Sequence, residues 1–207
     1  MNILGISGSP SVNSRTRWLV QLALQRLPGN ANAEGIAAAA ANGTFTEPIA
    51  QAASAAQTAP ATRTATLAHD GHQRRLIDLR SLPAEALVTA DFEHPALREA
   101  VDAVAAAQIV VVGTPIYKAS FSGLLKLFLD VLPPDGLRGK TVLALASGGS
   151  PAHLLALDYA LKPVLSVLGA RDLLDGVYAV DTQMPRDPDG SYLPHPELLA
   201  RLDRALA

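Results

Sequence analysis

The run Ile109-Val-Val-Val-Gly113 constrains this chain more than any other. It is continuous, apolar and β-branched, as a strand covered on both faces must be. A strand of that kind needs neighbours on each side and helices above and below it. The rest of the chain supplies both. Apolar runs at Asn2–Ile6, Arg74–Leu79, Thr141–Ala146 and Gly176–Val180 read as further strands. Helical periodicity appears between and after them, at Arg15–Leu27, Pro95–Ala106, Phe121–Leu132, Ala152–Leu168 and Pro196–Ala205. Strand–helix alternation of this kind predicts a parallel sheet with helices on both faces. Right-handed crossovers then leave few topologies. In such a sheet, ligands sit in the crevice beyond the carboxyl ends of the strands.

The loop after the first strand is Gly5-Ile-Ser-Gly-Ser-Pro-Ser-Val-Asn-Ser-Arg-Thr16. A strand, a loop of glycine and hydroxyl residues, and a helix start together make an anion site. The helix dipole and the free amides of its first turn face the ligand. Ser7, Ser9, Ser11, Ser14 and Thr16 add hydroxyls, and Arg15 adds a fork of N–H donors. Neither G-x-x-x-x-G-K-[ST] nor G-x-G-x-x-G occurs here, so a nucleoside triphosphate or a dinucleotide pyrophosphate is not the indicated ligand. A terminal phosphate monoester suits the loop. The same residues also suit a plain capped helix, with Ser14 as N-cap and Ser-Pro as a turn.

Two more loops fall at the same edge of the predicted sheet. The third strand runs into Gly113-Thr-Pro-Ile-Tyr-Lys-Ala-Ser-Phe-Ser-Gly123, where Tyr117 and Phe121 offer flat apolar surfaces and Lys118 a positive charge. The fourth runs into Ala146-Ser-Gly-Gly-Ser-Pro-Ala-His153. There Gly148 and Gly149 admit positive φ and close backbone approach to a ligand. Taken singly, the first of these loops reads as a strand-to-helix turn, and the second as a glycine turn with Ser150 as helix cap. Their convergence with the phosphate-type loop points to a planar ligand carrying a phosphate.

Composition narrows the function classes. The chain has 207 residues, a formal net charge of −2 and no Cys. That length suits one domain, spanning 1–207. The charge does not suit a nucleic-acid partner, and thiolate chemistry and disulfides are excluded. His69, His72, His94, His153 and His195 are scattered, so no metal site is expected. The N-terminus enters a strand directly, without a basic leader, and no apolar run is long enough to span a membrane. A cytoplasmic protein is expected. Asn30 to Ala68 breaks the pattern. It is rich in Ala, Thr, Gln and Asn, is interrupted by Gly35, Gly43, Pro48 and Pro60, and reads as a flexible low-complexity insertion at about 30–68.

Three segments together resemble the NADPH-dependent FMN reductases of the flavodoxin-like superfamily, in particular the reductase partner of two-component alkanesulfonate monooxygenases. They are Gly8-Ser-Pro…Ser14-Arg-Thr16, then Thr114-Pro-Ile-Tyr-Lys-Ala-Ser-Phe-Ser-Gly-Leu-Leu-Lys126, then Gly148-Gly-Ser-Pro-Ala-His-Leu-Leu-Ala-Leu-Asp-Tyr-Ala-Leu-Lys-Pro163. The resemblance implies an α/β, flavodoxin-like three-layer sandwich with a five-stranded parallel sheet in the order 2-1-3-4-5 and helices on both faces. It implies that Ser9, Ser14, Arg15 and Thr16 hold the FMN phosphate, and that Pro115, Ile116 and Tyr117 line the flavin, beside Lys118. Ser147, Gly148 and Gly149 would border the ring, with His153 nearby. NADPH, or NADH, would be the reductant, and no dedicated catalytic acid, base or nucleophile is required. A flavin-dependent monooxygenase would receive the product.

The segment from Lys118 to Lys126 opens a helix that such proteins use to form homodimers or homotetramers. Some members carry a π-bulge there. The close match usually has Tyr where this chain has Phe121. Two other functions fit the same motifs: an FMN-retaining NAD(P)H quinone or azo reductase, and a flavodoxin-like electron carrier.

Overall fold

Residues 1–27, 64–69, 72–188 and 190–207 are described in the computed structural model. The strands are β1 (Asn2–Ser7), β2 (Thr64–His69), β3 (His72–Asp78), β4 (Ile109–Tyr117), β5 (Ser120–Phe121), β6 (Thr141–Gly148), β7 (Asp172–Leu173) and β8 (Val177–Val180). The helices are α1 (Arg15–Arg26), α2 (Ala84–Thr89), α3 (Pro95–Ala106), α4 (Gly123–Asp130), α5 (Lys162–Val167) and α6 (Pro196–Leu206). The sheet runs β2-β3-β1-β4-β6-β7, with β8 also on β6 and β5 on β4. Its parallel strands β3, β1, β4, β6 and β8 are the five read from the sequence, in the expected order 2-1-3-4-5.

Period-two alternation divides the sheet's side chains between two cores. Ile6, Ile77, Val110, Val112, Val142 and Ala144 face α3, α4 and the helical segment ending in α5. Ile3, Leu76, Val111, Leu143, Leu145 and Val177 face α1 and α6. Val110, Val111 and Val112 are fully buried, consistent with helices on both faces. Helix α1 lies close against the sheet because β1 and β4 carry glycine beneath it. A Cβ at Gly113 would sit 2.2 Å from Val20, and one at Gly5 2.7 Å from the same side chain.

The register places the site. Ser7 pairs with Gly113, and Pro115 pairs with Ser147, so β1, β4 and β6 end at one edge.

Several sequence expectations need correction. The expected insertion at about 30–68 lies mostly outside the described residues, but its positions 64–68 belong to β2, which pairs antiparallel with β3. The full sheet is therefore mixed. A strand of small residues carries too weak an apolar signal to be read from the sequence.

The helix expected over Ala152–Leu168 is interrupted. It comprises a 3₁₀ turn at Pro151–His153, a π turn at Leu157–Leu161, and then α5. Pro163 has no N–H to give the carbonyl four residues back, and its ring crowds that carbonyl. The wider π turn ahead of it accommodates the defect. The π geometry thus falls here, while α4 is regular α-helix. Helix α4 is also shorter than expected, because Phe121 joins a hairpin strand and Ser122 caps the helix by accepting from the Leu125 amide at 3.1 Å. Helix α2 was not expected.

Candidate functional site

A cleft opens at the shared edge. It is lined by Ser9, Ser11, Asn13 to Thr16, Pro115 to Tyr117, Ser147 to Gly149 and Asp181. Ten of the twelve cofactor-binding residues expected from the sequence lie in it.

The first loop is rigid and oriented. The Gly8 amide donates to Gly113 O at 2.8 Å, and Ser122 Oγ donates to Gly8 O at 2.5 Å. A Cβ at Gly8 would meet Leu125 at 2.7 Å, so only glycine lets the loop lie this close to α4. Ser9 Oγ accepts from the Ser11 amide at 3.3 Å. Ser14 is the N-cap of α1, and its Oγ accepts from the Arg17 amide at 3.0 Å. A hydroxyl that accepts from a backbone amide keeps its own proton for another acceptor. The amides of Arg15 and Thr16, at the start of the helix, have no intrahelical carbonyl to bond. These hydroxyls and amides together form a set of donors suited to an anion.

Thr16 is almost fully buried, and its Oγ1 lies 2.7 Å from Ser147 Oγ. One of the two protons makes this bond, and the other stays available. Arg15 is fixed from the far end of the chain. Its Nε donates to Met184 O at 3.1 Å, its Nη1 lies 3.4 Å from Asp181 Oδ2, and its guanidinium stands 5.4 Å from the centre of the Tyr192 ring. Tyr192 Oη in turn donates to Asn13 O at 3.3 Å.

In the second loop, Pro115 and Ile116 are buried and Tyr117 is half exposed at the cleft. Thr114 Oγ1 accepts from the Ser122 amide at 2.9 Å. Tyr117 and Ser120 pair across a two-residue hairpin. The connecting residues, Lys118 and Ala119, have φ of 51° and 62°. Such left-handed backbone normally calls for glycine or asparagine. Lys118 is exposed at the tip and does not line the cleft.

The third loop departs from its expected geometry. Gly148 and Gly149 do not use positive φ; among the described glycines, 139, 169 and 190 do. Gly148 is required for packing instead, because a Cβ there would lie 2.3 Å from Tyr178 Oη. That hydroxyl donates to Ser150 O at 2.7 Å and so anchors the loop. Burial, and secondarily the charge of Asp181, push the Tyr178 phenol above its ordinary pKa. Gly149 has nothing near its Cβ position and leaves the backbone open. His153 is exposed on the 3₁₀ turn and is not part of the lining.

Sequence reading missed Asp181, Met184 and Tyr192. One signal was available for Asp181. It directly follows the fifth strand and therefore lies at the same carboxyl edge as the other three loops.

The family model of NADPH-dependent FMN reductases matches residues 35–185. The chain is 48% identical over 131 residues to FMN reductase (NADPH) of Escherichia coli (strain K12), covering 62% of this chain and 67% of that protein. It is 32% identical over 137 residues to NADH-dependent FMN reductase SfnF of Pseudomonas putida, covering 66% and 71%. A second Pseudomonas putida relative, FMN reductase (NADPH) of strain KT2440, is 52% identical, but the match spans only 54% of its length. Among solved structures, the apo form of NADH:FMN oxidoreductase (EMOB) superposes with a TM-score of 0.71 at 34% identity, covering 99% of this chain and 86% of that one.

Proposed function

Because the chain belongs to the NADPH-dependent FMN reductase family, we propose that this cleft binds FMN for reduction by NAD(P)H and releases reduced flavin to a monooxygenase. The observation that carries the reading is the set of free donors in the first loop, beside two loops able to flank a flat ring. The protons of Ser9 and Ser14, the amides of Arg15 and Thr16, and the Arg15 guanidinium fit a phosphate monoester. Pro115, Ile116 and Tyr117, with Ser147, Gly148 and Gly149, line the same cleft and would border an isoalloxazine ring. When bound, FMN supplies a hydride acceptor and the nicotinamide supplies the hydride.

The chain's own part is positioning and electrostatics. The buried Thr16–Ser147 contact holds the phosphate and ring loops at a set distance. The open backbone at Gly149 allows an N–H to approach the ring edge where negative charge gathers on reduction. Orientation, not a side-chain acid or base, lowers the barrier to hydride transfer. Lys118 and His153, both exposed, are left for contact with the nicotinamide nucleotide.

Relatives named as NADPH-dependent and as NADH-dependent both match this chain. The assay therefore uses both nicotinamides. Apoprotein, reductant and excess free FMN are mixed without oxygen. Consumption of reductant in proportion to added FMN is expected. If oxidation stops at one equivalent per protein, the flavin is retained and the reading as a supplier of reduced flavin fails.

Self-association is part of the same proposal. Leu154, Leu155, Tyr159 and Val167 are exposed around the π turn and α5, and large apolar side chains left in water favour contact with a second copy. Sedimentation should show a dimer or tetramer; a monomer at micromolar concentration would count against it. Cytoplasmic residence belongs to this reading too. Among the described residues, no helix is long and apolar enough to cross a membrane.

A further inference from the structure

Arg15 and Asp181 carry the only formal charges among the described residues lining the cleft. They face each other, with Arg15 Nη1 3.4 Å from Asp181 Oδ2. We propose that Asp181 sets flavin affinity: its carboxylate competes with the FMN phosphate for Arg15 and keeps the flavin exchangeable. The inference rests on the reading of this cleft as an FMN site with the phosphate at the first loop.

Asp181 is held at the cleft by its own turn. It begins the 3₁₀ turn Asp181–Gln183 at the end of β8. Gln183 Oε1 accepts from the Val180 amide at 3.1 Å and from Arg201 Nη2 at 2.8 Å, and Arg201 Nη1 donates to Tyr178 O at 2.8 Å. Arg15 is held as well, by Met184 O and the Tyr192 ring. Neither partner needs to swing away for the pair to form.

An arriving phosphate therefore meets a neutralised cation rather than a bare one. An anion that bonds Arg15 also lies within a guanidinium's width of the Asp181 carboxylate. That distance is well inside the screening length of about 8 Å at physiological salt, so attraction and repulsion act together. A phosphate monoester carries close to two negative charges at neutral pH. The cleft offers it hydrogen bonds with no net formal charge. That balance suits a flavin that must leave after reduction, and it works against one kept as a prosthetic group.

The test measures dissociation constants of FMN and of riboflavin, which lacks the phosphate, by flavin fluorescence on apoprotein. Wild type is compared with Asp181→Asn, Asp181→Ala and Asp181→Glu. Asn and Ala are expected to tighten FMN by about fivefold to tenfold and to leave riboflavin within twofold of wild type. Glu, which keeps the charge, should behave like wild type. Unchanged or weaker FMN binding in both neutral variants overturns the proposal. Equal weakening of FMN and riboflavin overturns it too, and would make Asp181 an acceptor for ribityl hydroxyls. Failure of the underlying reading looks different: wild type would then bind FMN no more tightly than riboflavin.

Discussion

The hydroxyls of Thr16 and Ser147 lie 2.7 Å apart across 131 residues of sequence. Their contact joins the start of α1 to the end of β6, and so joins the two halves of the cleft. Thr16→Val leaves the buried Ser147 hydroxyl without its partner and should cost about 1–3 kcal/mol of stability. Adding Ser147→Ala removes the orphaned group, so the double variant should lose less than the sum of the single ones. Urea unfolding of the four proteins measures this coupling. Strict additivity would mean that the contact contributes nothing.

Arg15 should matter to FMN and not to riboflavin. Arg15→Ala is expected to weaken FMN binding by about 1.5 kcal/mol, the low end of the range for charged hydrogen bonds. The low end applies because Asp181 already takes up part of the cation's field. Equilibrium titration with both flavins measures the effect; an unchanged FMN constant would remove Arg15 from the phosphate site.

Gly148 faces the Tyr178 hydroxyl with no room for a methyl group. Gly148→Ala should therefore destabilise the fold by about 1–3 kcal/mol through overpacking. Adding Tyr178→Phe removes the clashing atom and should recover part of that loss. Thermal melts of the single and double variants test this, and a neutral Gly148→Ala would contradict the packing.

The hairpin tip carries left-handed backbone at Ala119, with φ of 62°. An L-residue with a Cβ is strained there by about 1–2 kcal/mol, and glycine is not. Ala119→Gly should raise stability by up to about 1 kcal/mol, after allowing for glycine's greater freedom in the unfolded chain. A fall in the urea midpoint would show that the strain is not felt.

Lys140 closes the end of α3. Its Nζ donates to Ala105 O and Ala107 O, both at 2.8 Å. Lys140→Met should cost about 1–3 kcal/mol, because two carbonyls lose their donor. Burial holds the Lys140 pKa below its ordinary 10.5. The unfolded chain therefore binds more protons between the folded value and 10.5, and this group's contribution makes stability rise with pH across that window. Subtracting the Met variant's pH profile from wild type isolates the rise; a flat difference would refute it.

The five parallel strands were legible because each is buried on one or both faces, and burial writes an apolar period into the chain; their order came from the family resemblance, since an apolar period does not say which strands are neighbours. Val110 to Val112 show this most plainly. The anion loop was legible too, since a helix start with hydroxyls before it is a local feature. Local signals misled where a single residue altered a longer pattern. Pro163 split a helix that looked continuous, and Phe121 left its helix to pair in a hairpin.

The fold, the edge that carries the cleft and most of its lining therefore follow from apolar spacing and from loops next to strand ends, both encoded over a few residues. The charge balance of the cleft does not. Arg15 meets Met184 across 169 residues, and Asp181 and Tyr192 sit in a stretch with little apolar periodicity. Nothing near Arg15 in sequence indicates that its charge is already opposed. A salt bridge needs only two atoms a few ångströms apart and imposes no repeat on either segment. Only the folded chain, by bringing the end of β8 to the start of α1, sets how strongly this site attracts an anion.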